Sequence, residues 1–103
     1  MKGNKNMEII HLEKENFKEL IKEEKILVDF FANWCGPCKM LSPILEKVDS
    51  SFKVIKVDVD VFEELAREYG VMSIPTLVLL EEGKEIKRHI GFIDKERLEN
   101  FLN

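Results

Sequence analysis

The sequence has few of the features that define several protein classes. It carries only two cysteines among 103 residues, which excludes a framework of several disulfides. No apolar run approaches the roughly 18 residues that a membrane span requires. Acidic side chains outnumber basic ones by 20 to 16, whereas a nucleic-acid-binding protein usually has a clustered basic face. We therefore expect neither a membrane partner nor a nucleic-acid partner.

The N-terminal residues carry positive charge but lack the apolar core of a signal peptide. We therefore expect a cytoplasmic protein, with a flexible leader over residues 1–6 and a single domain over residues 7–103. A chain of 103 residues has room for one domain and can bury well over half of its unfolded surface. We expect it to fold without a metal or a disulfide scaffold, and as a monomer.

The spacing of apolar residues predicts an α/β domain with the element order βαβαβαββα. Residues 26–32 form a nearly continuous apolar run, which is typical of a strand buried on both faces. Residues 76–90 predict a hairpin that turns at Glu82 and Gly83. We expect a central mixed five-stranded sheet flanked on both faces by four helices. The predicted helix caps are Asn16, Asp60 and Asp94.

The two cysteines stand three residues apart, so a disulfide between them closes only a small ring. Such a disulfide stabilises the folded state by on the order of 2 kcal/mol, which is too little to explain the presence of the pair. Cys35 lies where a buried strand meets a helix, and the free N–H groups at that helix start favour a thiolate. We predict that Cys35 attacks a substrate disulfide and that Cys38 resolves the mixed disulfide. Gly36 permits a tight turn, Pro37 suits the helix start, and Lys39 either adds positive potential or is simply solvated.

A zinc site and an inert buried pair are the alternatives for these cysteines. Zinc takes four ligands, and only His11 and His89, both distant in sequence, remain to complete a set with the cysteines. We therefore expect a redox pair that needs neither a metal nor a cofactor.

Asp29 is a carboxylate in the middle of an apolar run, where burial costs several kcal/mol unless the group is paired or protonated. Desolvation should raise its pKa, which suits a group that exchanges a proton near neutral pH. Lys56, in the next predicted strand, is the expected charge partner. The alternative is an aspartate at the end of the strand whose side chain reaches solvent.

Residues 34–39, Trp-Cys-Gly-Pro-Cys-Lys, together with the run before them and with Ile74-Pro75-Thr76 after them, resemble the thioredoxin family. The resemblance extends over about residues 7–103. It implies the thioredoxin fold, a dithiol–disulfide cycle that reduces the disulfides of client proteins, and a thioredoxin reductase that regenerates the dithiol. It also implies that Asp29 and Lys56 assist the deprotonation of the resolving Cys38.

The resemblance further implies a substrate-binding rim. It makes Pro75 a cis proline against the cysteine pair, which leaves the backbone of Ile74 free to bond an extended substrate segment. Spacing alone also allows an ordinary trans proline that starts a strand. The other expected rim residues are Trp34, Gly91 and Phe92, and ordinary core packing is the alternative for Phe92. One departure from the commonest family pattern is Phe31, where many members carry a tryptophan.

Three functions compete on the sequence alone. Oxidising relatives carry a histidine before the second cysteine, and the uncharged Pro37 at that position favours a reductant. A binding subunit with spectator cysteines is a second possibility, although the presence of both cysteines with Asp29 and Pro75 argues against it. A glutaredoxin-like enzyme would need a glutathione site, and the sequence has no recognisable one.

Overall fold

The computed structural model describes residues 8–13, 16–22, 25–48 and 52–103, so the predicted leader over residues 1–6 lies outside the described residues. In chain order the elements are β1 (Glu8–His11), α1 (Phe17–Leu20), β2 (Lys25–Phe31), α2 (Gly36–Lys47), β3 (Lys53–Asp58), α3 (Glu63–Glu68), β4 (Thr76–Glu81), β5 (Lys84–Ile90) and α4 (Lys95–Leu102). This order confirms the predicted βαβαβαββα sequence of elements.

The strands form one mixed five-stranded sheet in the order β1-β3-β2-β4-β5. Strand β3 runs parallel to β1 and β2, while β4 runs antiparallel to β2 and β5. The central position of β2 explains its composition, because residues 26–30 are covered by helices on both sides and are all buried. The expected fold class is therefore confirmed.

Alternate side chains of β2 point to two separate apolar layers. We call the layer between the sheet and the helices α1 and α3 the α1/α3 face. Its buried members include Phe17, Ile21, Ile26, Val28, Phe30 and Ala66. The α2/α4 face is the opposite layer, and its buried members include Leu27, Leu41, Leu45, Leu77, Leu98 and Leu102. The period of two along the strand thus places neighbouring residues in different cores.

Strands β4 and β5 are joined by a two-residue turn at Glu82 and Gly83, as the sequence predicts. Both residues have positive φ, 52° and 85°, which is the conformation of a tight hairpin turn. None of the helices within the described part of the chain combines the length and the apolar character needed to cross a bilayer.

The three predicted helix caps differ in outcome. The Asp94 carboxylate accepts a hydrogen bond from the backbone N–H of Arg97 at 2.9 Å, so it caps α4 as expected. Asn16 stands at the N-cap of α1 but its side chain makes no capping bond. The prediction for Asp60 is wrong, because α3 begins only after Phe62 and Asp60 belongs to the preceding turn.

Candidate active site

Cys35 and Cys38 are joined by a disulfide at the start of α2, with their Cα atoms 5.2 Å apart. Cys35 is the N-cap of the helix, with extended backbone, and Pro37 lies in the first turn. The backbone N–H of Cys38 donates to the Sγ of Cys35 at 3.2 Å. A free N–H at the positive end of a helix therefore points at this sulfur, and the arrangement favours negative charge there once the disulfide is reduced.

The two cysteines are almost equally buried, at 4% and 3% exposure. They form a small cluster with Ala32, against which Phe31 and Ile74 also pack. Burial alone does not separate a nucleophile from a resolving thiol. The two cysteines do differ at the helix cap, where the Sγ of Cys35 accepts the backbone N–H of Cys38.

The Ile74–Pro75 peptide bond is cis, as the family resemblance implies. The carbonyl oxygen of Ile74 lies 3.9 Å from the Sγ of Cys35, so this loop sits against the disulfide. The backbone N–H of Gly91 donates to the carbonyl of Pro75 at 2.8 Å, which ties the segment after β5 to the same place. The structure thus brings Ile74, Pro75 and Gly91 to the cysteine pair.

Apolar side chains surround this site and face solvent. Trp34 is 70% exposed and Phe92 is 40% exposed, and neither belongs to a core cluster. The exposure of Phe92 argues against the packing alternative. The indole N–H of Trp34 donates to the Oδ2 of Asp60 at 2.9 Å, a contact that the sequence analysis missed. Other exposed apolar side chains on neighbouring segments include Met40, Val61, Met72 and Ile90.

Asp29 and Lys56 are direct neighbours in the register of β2 and β3. Their side chains are 1% and 8% exposed, which contradicts the alternative of an aspartate that reaches solvent. The Nζ of Lys56 lies 3.6 Å from the Oδ2 of Asp29, an ion pair slightly longer than a hydrogen bond. Burial raises the pKa of the Asp29 carboxyl to about 6, against the opposing effect of the Lys56 ammonium.

Ser42 also contacts Lys56, and the sequence analysis did not single it out. The Nζ of Lys56 donates to the Oγ of Ser42 at 2.6 Å, and the Ser42 hydroxyl donates to the carbonyl of Cys38 at 3.5 Å. The available signal was the spacing, because residues four apart on a helix lie on the same side and Ser42 follows Cys38 by four.

The described residues offer little for a metal or a cofactor. His11 lies on β1 and His89 on β5, the two opposite edges of the sheet, so they do not meet at the cysteines. Within the described ranges no three His, Cys, Asp or Glu side chains gather closely enough to hold a metal ion. What the arrangement does provide is a cysteine pair, a buried carboxyl and an exposed apolar surface.

Comparisons with known proteins agree with this geometry. The sequence model of a family described as Thioredoxin matches residues 8–103. A thioredoxin of Bacillus subtilis is 43% identical over 101 residues, covering 94% of this chain and 97% of that protein. A thioredoxin of Chlamydia caviae is 48% identical over 92 residues, covering 86% and 90%. The solved structure of a reduced thioredoxin pre-protein from Schistosoma mansoni superposes with a TM-score of 0.83 at 32% identity, covering 92% of this chain and 95% of that one.

Proposed function

The chain belongs to the thioredoxin family of protein-disulfide reductases and is a thiol–disulfide oxidoreductase, and from that premise we propose how its residues carry out the reaction. Cys35 is the nucleophile and Cys38 the resolving thiol. The observation that carries this assignment is the hydrogen bond from the backbone N–H of Cys38 to the Sγ of Cys35 at the cap of α2.

The reaction consists of two exchanges. The Cys35 thiolate attacks one sulfur of the client disulfide, so a mixed disulfide forms and the other client sulfur leaves as a thiolate. Cys38 then loses its proton and attacks the Sγ of Cys35, which forms the intramolecular disulfide and releases the second client thiolate. Two electrons pass from the protein to the client, and the chain is left in the oxidised state.

Asp29 is the proton-transfer group for the second exchange. Its carboxyl lies on the α2/α4 face, where it pairs with Lys56, and Lys56 in turn contacts Ser42, which reaches the backbone of Cys38. A carboxyl whose pKa burial raises to about 6 is a better proton acceptor near neutral pH than an exposed aspartate. Lys56 tunes that basicity through its charge.

Client proteins dock on the apolar rim. An extended client segment bonds to the backbone of Ile74 beside the cis proline, in the manner of an added strand. The exposed rings of Trp34 and Phe92 supply apolar contact area next to the sulfur that reacts. Gly91 has a φ of 98° and no Cβ, so it leaves room for the backbone of the client. In the first turns of α2, Lys39 is exposed one residue after Cys38 and adds positive potential.

A thioredoxin reductase returns the Cys35–Cys38 disulfide to the dithiol, which makes the chain an electron carrier between that reductase and its clients. We place this cycle in the cytoplasm, where such dithiols stay reduced. The chain acts as a monomer, as a single domain over residues 7–103. The electron donor can be identified by mixing the oxidised protein with an NADPH-linked or a ferredoxin-linked thioredoxin reductase. The reductase that serves this protein is the one that oxidises its own electron donor when the protein is present.

Trapping of the mixed disulfide tests the assignment of the two cysteines. The Cys38→Ser variant should accumulate a covalent complex with a peptide disulfide, because the resolving thiol is absent. The matched Cys35→Ser variant should form no complex at the same concentration. Mass spectrometry after acid quenching reads out both. A complex that accumulates on Cys38 in the Cys35→Ser variant, with none on Cys35, would reverse the assignment.

A further inference from the structure

Three groups surround the Lys56 ammonium at different distances. The hydroxyl of Ser42 accepts from Nζ at 2.6 Å, the Asp29 carboxylate lies 3.6 Å away, and the centroid of the Phe31 ring lies 4.7 Å away. A buried ammonium ordinarily forms its shortest contact with a carboxylate, because that hydrogen bond is assisted by charge on both sides. Here the shortest contact goes to a neutral hydroxyl.

The carboxylate is correspondingly poor in hydrogen bonds. Among the described residues, no group donates a hydrogen bond within ordinary distance to either carboxyl oxygen of Asp29. Its ion pair with Lys56 contributes charge attraction without a short N–H···O bond. Hydrogen bonds to a carboxylate favour its charged form, so the long contact with Lys56 only partly offsets burial, which keeps the pKa of the Asp29 carboxyl raised.

We propose that Ser42 is a positioning residue that holds the Lys56 ammonium away from the Asp29 carboxylate and thereby sets the strength of this carboxylate as a proton acceptor for Cys38. The inference rests on the proposed role of Asp29 in the second exchange. Ser42 does not touch the reacting sulfurs; it acts through Lys56. The Phe31 ring lies on the same ammonium and limits where it moves.

A contact within α2 orients the side chain of Ser42. Its hydroxyl has one proton to donate, and that proton points to the carbonyl of Cys38 one turn earlier, at 3.5 Å. The oxygen is then free to accept from Lys56. The α2 turn that carries the resolving cysteine therefore also fixes the acceptor that orients the lysine.

The other groups around Asp29 do not supply a competing charge at short range. In the register of the sheet, β4 places the apolar Leu77 beside Asp29, and β3 places Lys56 on the other side. One strand further out, His11 pairs with Lys56 and His89 pairs with Leu77. The helix α2 contributes Ser42, which contacts Lys56. Only Lys56 among these forms an ion pair with the Asp29 carboxyl.

Removal of the hydroxyl should let the ammonium move to the carboxylate. At an effective dielectric constant of about 20, closing the pair from 3.6 Å to about 2.8 Å lowers the pKa of Asp29 by about one unit. The Ser42→Ala variant should therefore titrate Asp29 about one unit below the unmodified protein. The pH profile of the rate of the second exchange should shift toward lower pH by the same amount. Alanine is a better helix former than serine, so the variant should fold.

The experiment is a pH titration of the Asp29 carboxyl carbon by NMR in the unmodified protein, Ser42→Ala and Ser42→Thr, with the single-turnover pH profile of a peptide disulfide alongside. Ser42→Thr keeps the hydroxyl and should titrate as the unmodified protein does. An Asp29 titration in Ser42→Ala that is unchanged or displaced upward would overturn the proposal. A shift of the Asp29 titration in Ser42→Thr as large as that in Ser42→Ala would also overturn the proposal.

The Asp29→Asn variant separates this proposal from the one on which it rests. It should slow the second exchange near neutral pH and remove the inflection from the pH profile. If the exchange in Asp29→Asn keeps its rate and its pH profile, the proton-transfer role of Asp29 fails. The NMR titration still decides in that case whether Ser42 controls the Lys56–Asp29 pair.

Discussion

Strand β2 sends alternate side chains to two apolar layers, and the α2/α4 face also holds a buried ion pair. On the α1/α3 face, Phe30 has no exposed surface and its ring packs 5.6 Å from that of Tyr69, between centroids. On the α2/α4 face, Asp29 is 1% exposed and faces an ammonium instead of a ring. The backbone, the strand and the degree of burial are the same, and only the direction of the side chain differs.

Both faces bury apolar side chains that stabilise the fold, and the α2/α4 face carries in addition a polar pair that packing does not require. A buried ion pair rarely stabilises a protein more than an apolar pair of the same volume. The Asp29–Lys56 pair lies on the face covered by α2, the helix that begins at the cysteines. Under the proposed mechanism the pair is present for proton transfer and not for stability, whereas the α1/α3 face needs no explanation beyond packing.

The largest expected effect on stability comes from a fully buried ring on the α1/α3 face. Phe30→Ala should lower the free energy of unfolding by about 3–5 kcal/mol, because it removes a fully buried ring and leaves a cavity. Denaturant unfolding of the oxidised protein measures this. At a temperature where the variant remains folded, its single-turnover exchange rate should match that of the unmodified protein. A loss of rate as large as that of Asp29→Asn would break the division between the two faces.

A smaller effect, and one that depends on pH, comes from the Asp29–Lys56 pair on the α2/α4 face. Burial raises the pKa of Asp29 to about 6 from an ordinary value of 3.8, so the folded state binds this proton more tightly than the unfolded state does. The resulting stability is fully present below the unfolded pKa and is lost as the pH rises through the folded one. Relative to Asp29→Asn, the unmodified protein should lose about 3 kcal/mol between about pH 3 and about pH 8.

If the free energies of unfolding of the unmodified protein and of Asp29→Asn change with pH in parallel, the pKa of Asp29 is not raised in the folded state. Denaturant unfolding of the oxidised forms at several pH values provides the comparison. The absolute difference between the curves also contains the effect of leaving Lys56 without a carboxylate, so the test is the slope and not the offset.

The sequence predicts the apolar part of both faces better than the polar contacts of the α2/α4 face. The spacing of apolar residues predicted the strands and helices of both layers, because apolar burial follows a period of two or 3.6. Asp29 was found because a charge interrupts an apolar run, and Lys56 was found from the neighbouring strand. Ser42 was missed, since a serine on a helix has no unusual polarity until its partner is known.

Other contacts were beyond sequence reasoning for a different reason. The hydrogen bond between Trp34 and Asp60 joins residues 26 apart, across the turns that follow β2 and β3. Local rules instead assigned Asp60 to a helix cap, and tertiary structure overrode that assignment. The cis form of Pro75 followed from the family resemblance, because spacing alone allowed either isomer.

The reduction potential of the Cys35–Cys38 couple tests the central claim most directly. Equilibration against a defined thiol buffer, followed by thiol trapping and mass spectrometry, measures the oxidised fraction. The account predicts a potential well on the reducing side of glutathione, because Pro37 provides no charge to stabilise the thiolate and the couple therefore donates electrons. A potential as high as that of disulfide-forming enzymes would contradict it and would make the chain an oxidant of its clients.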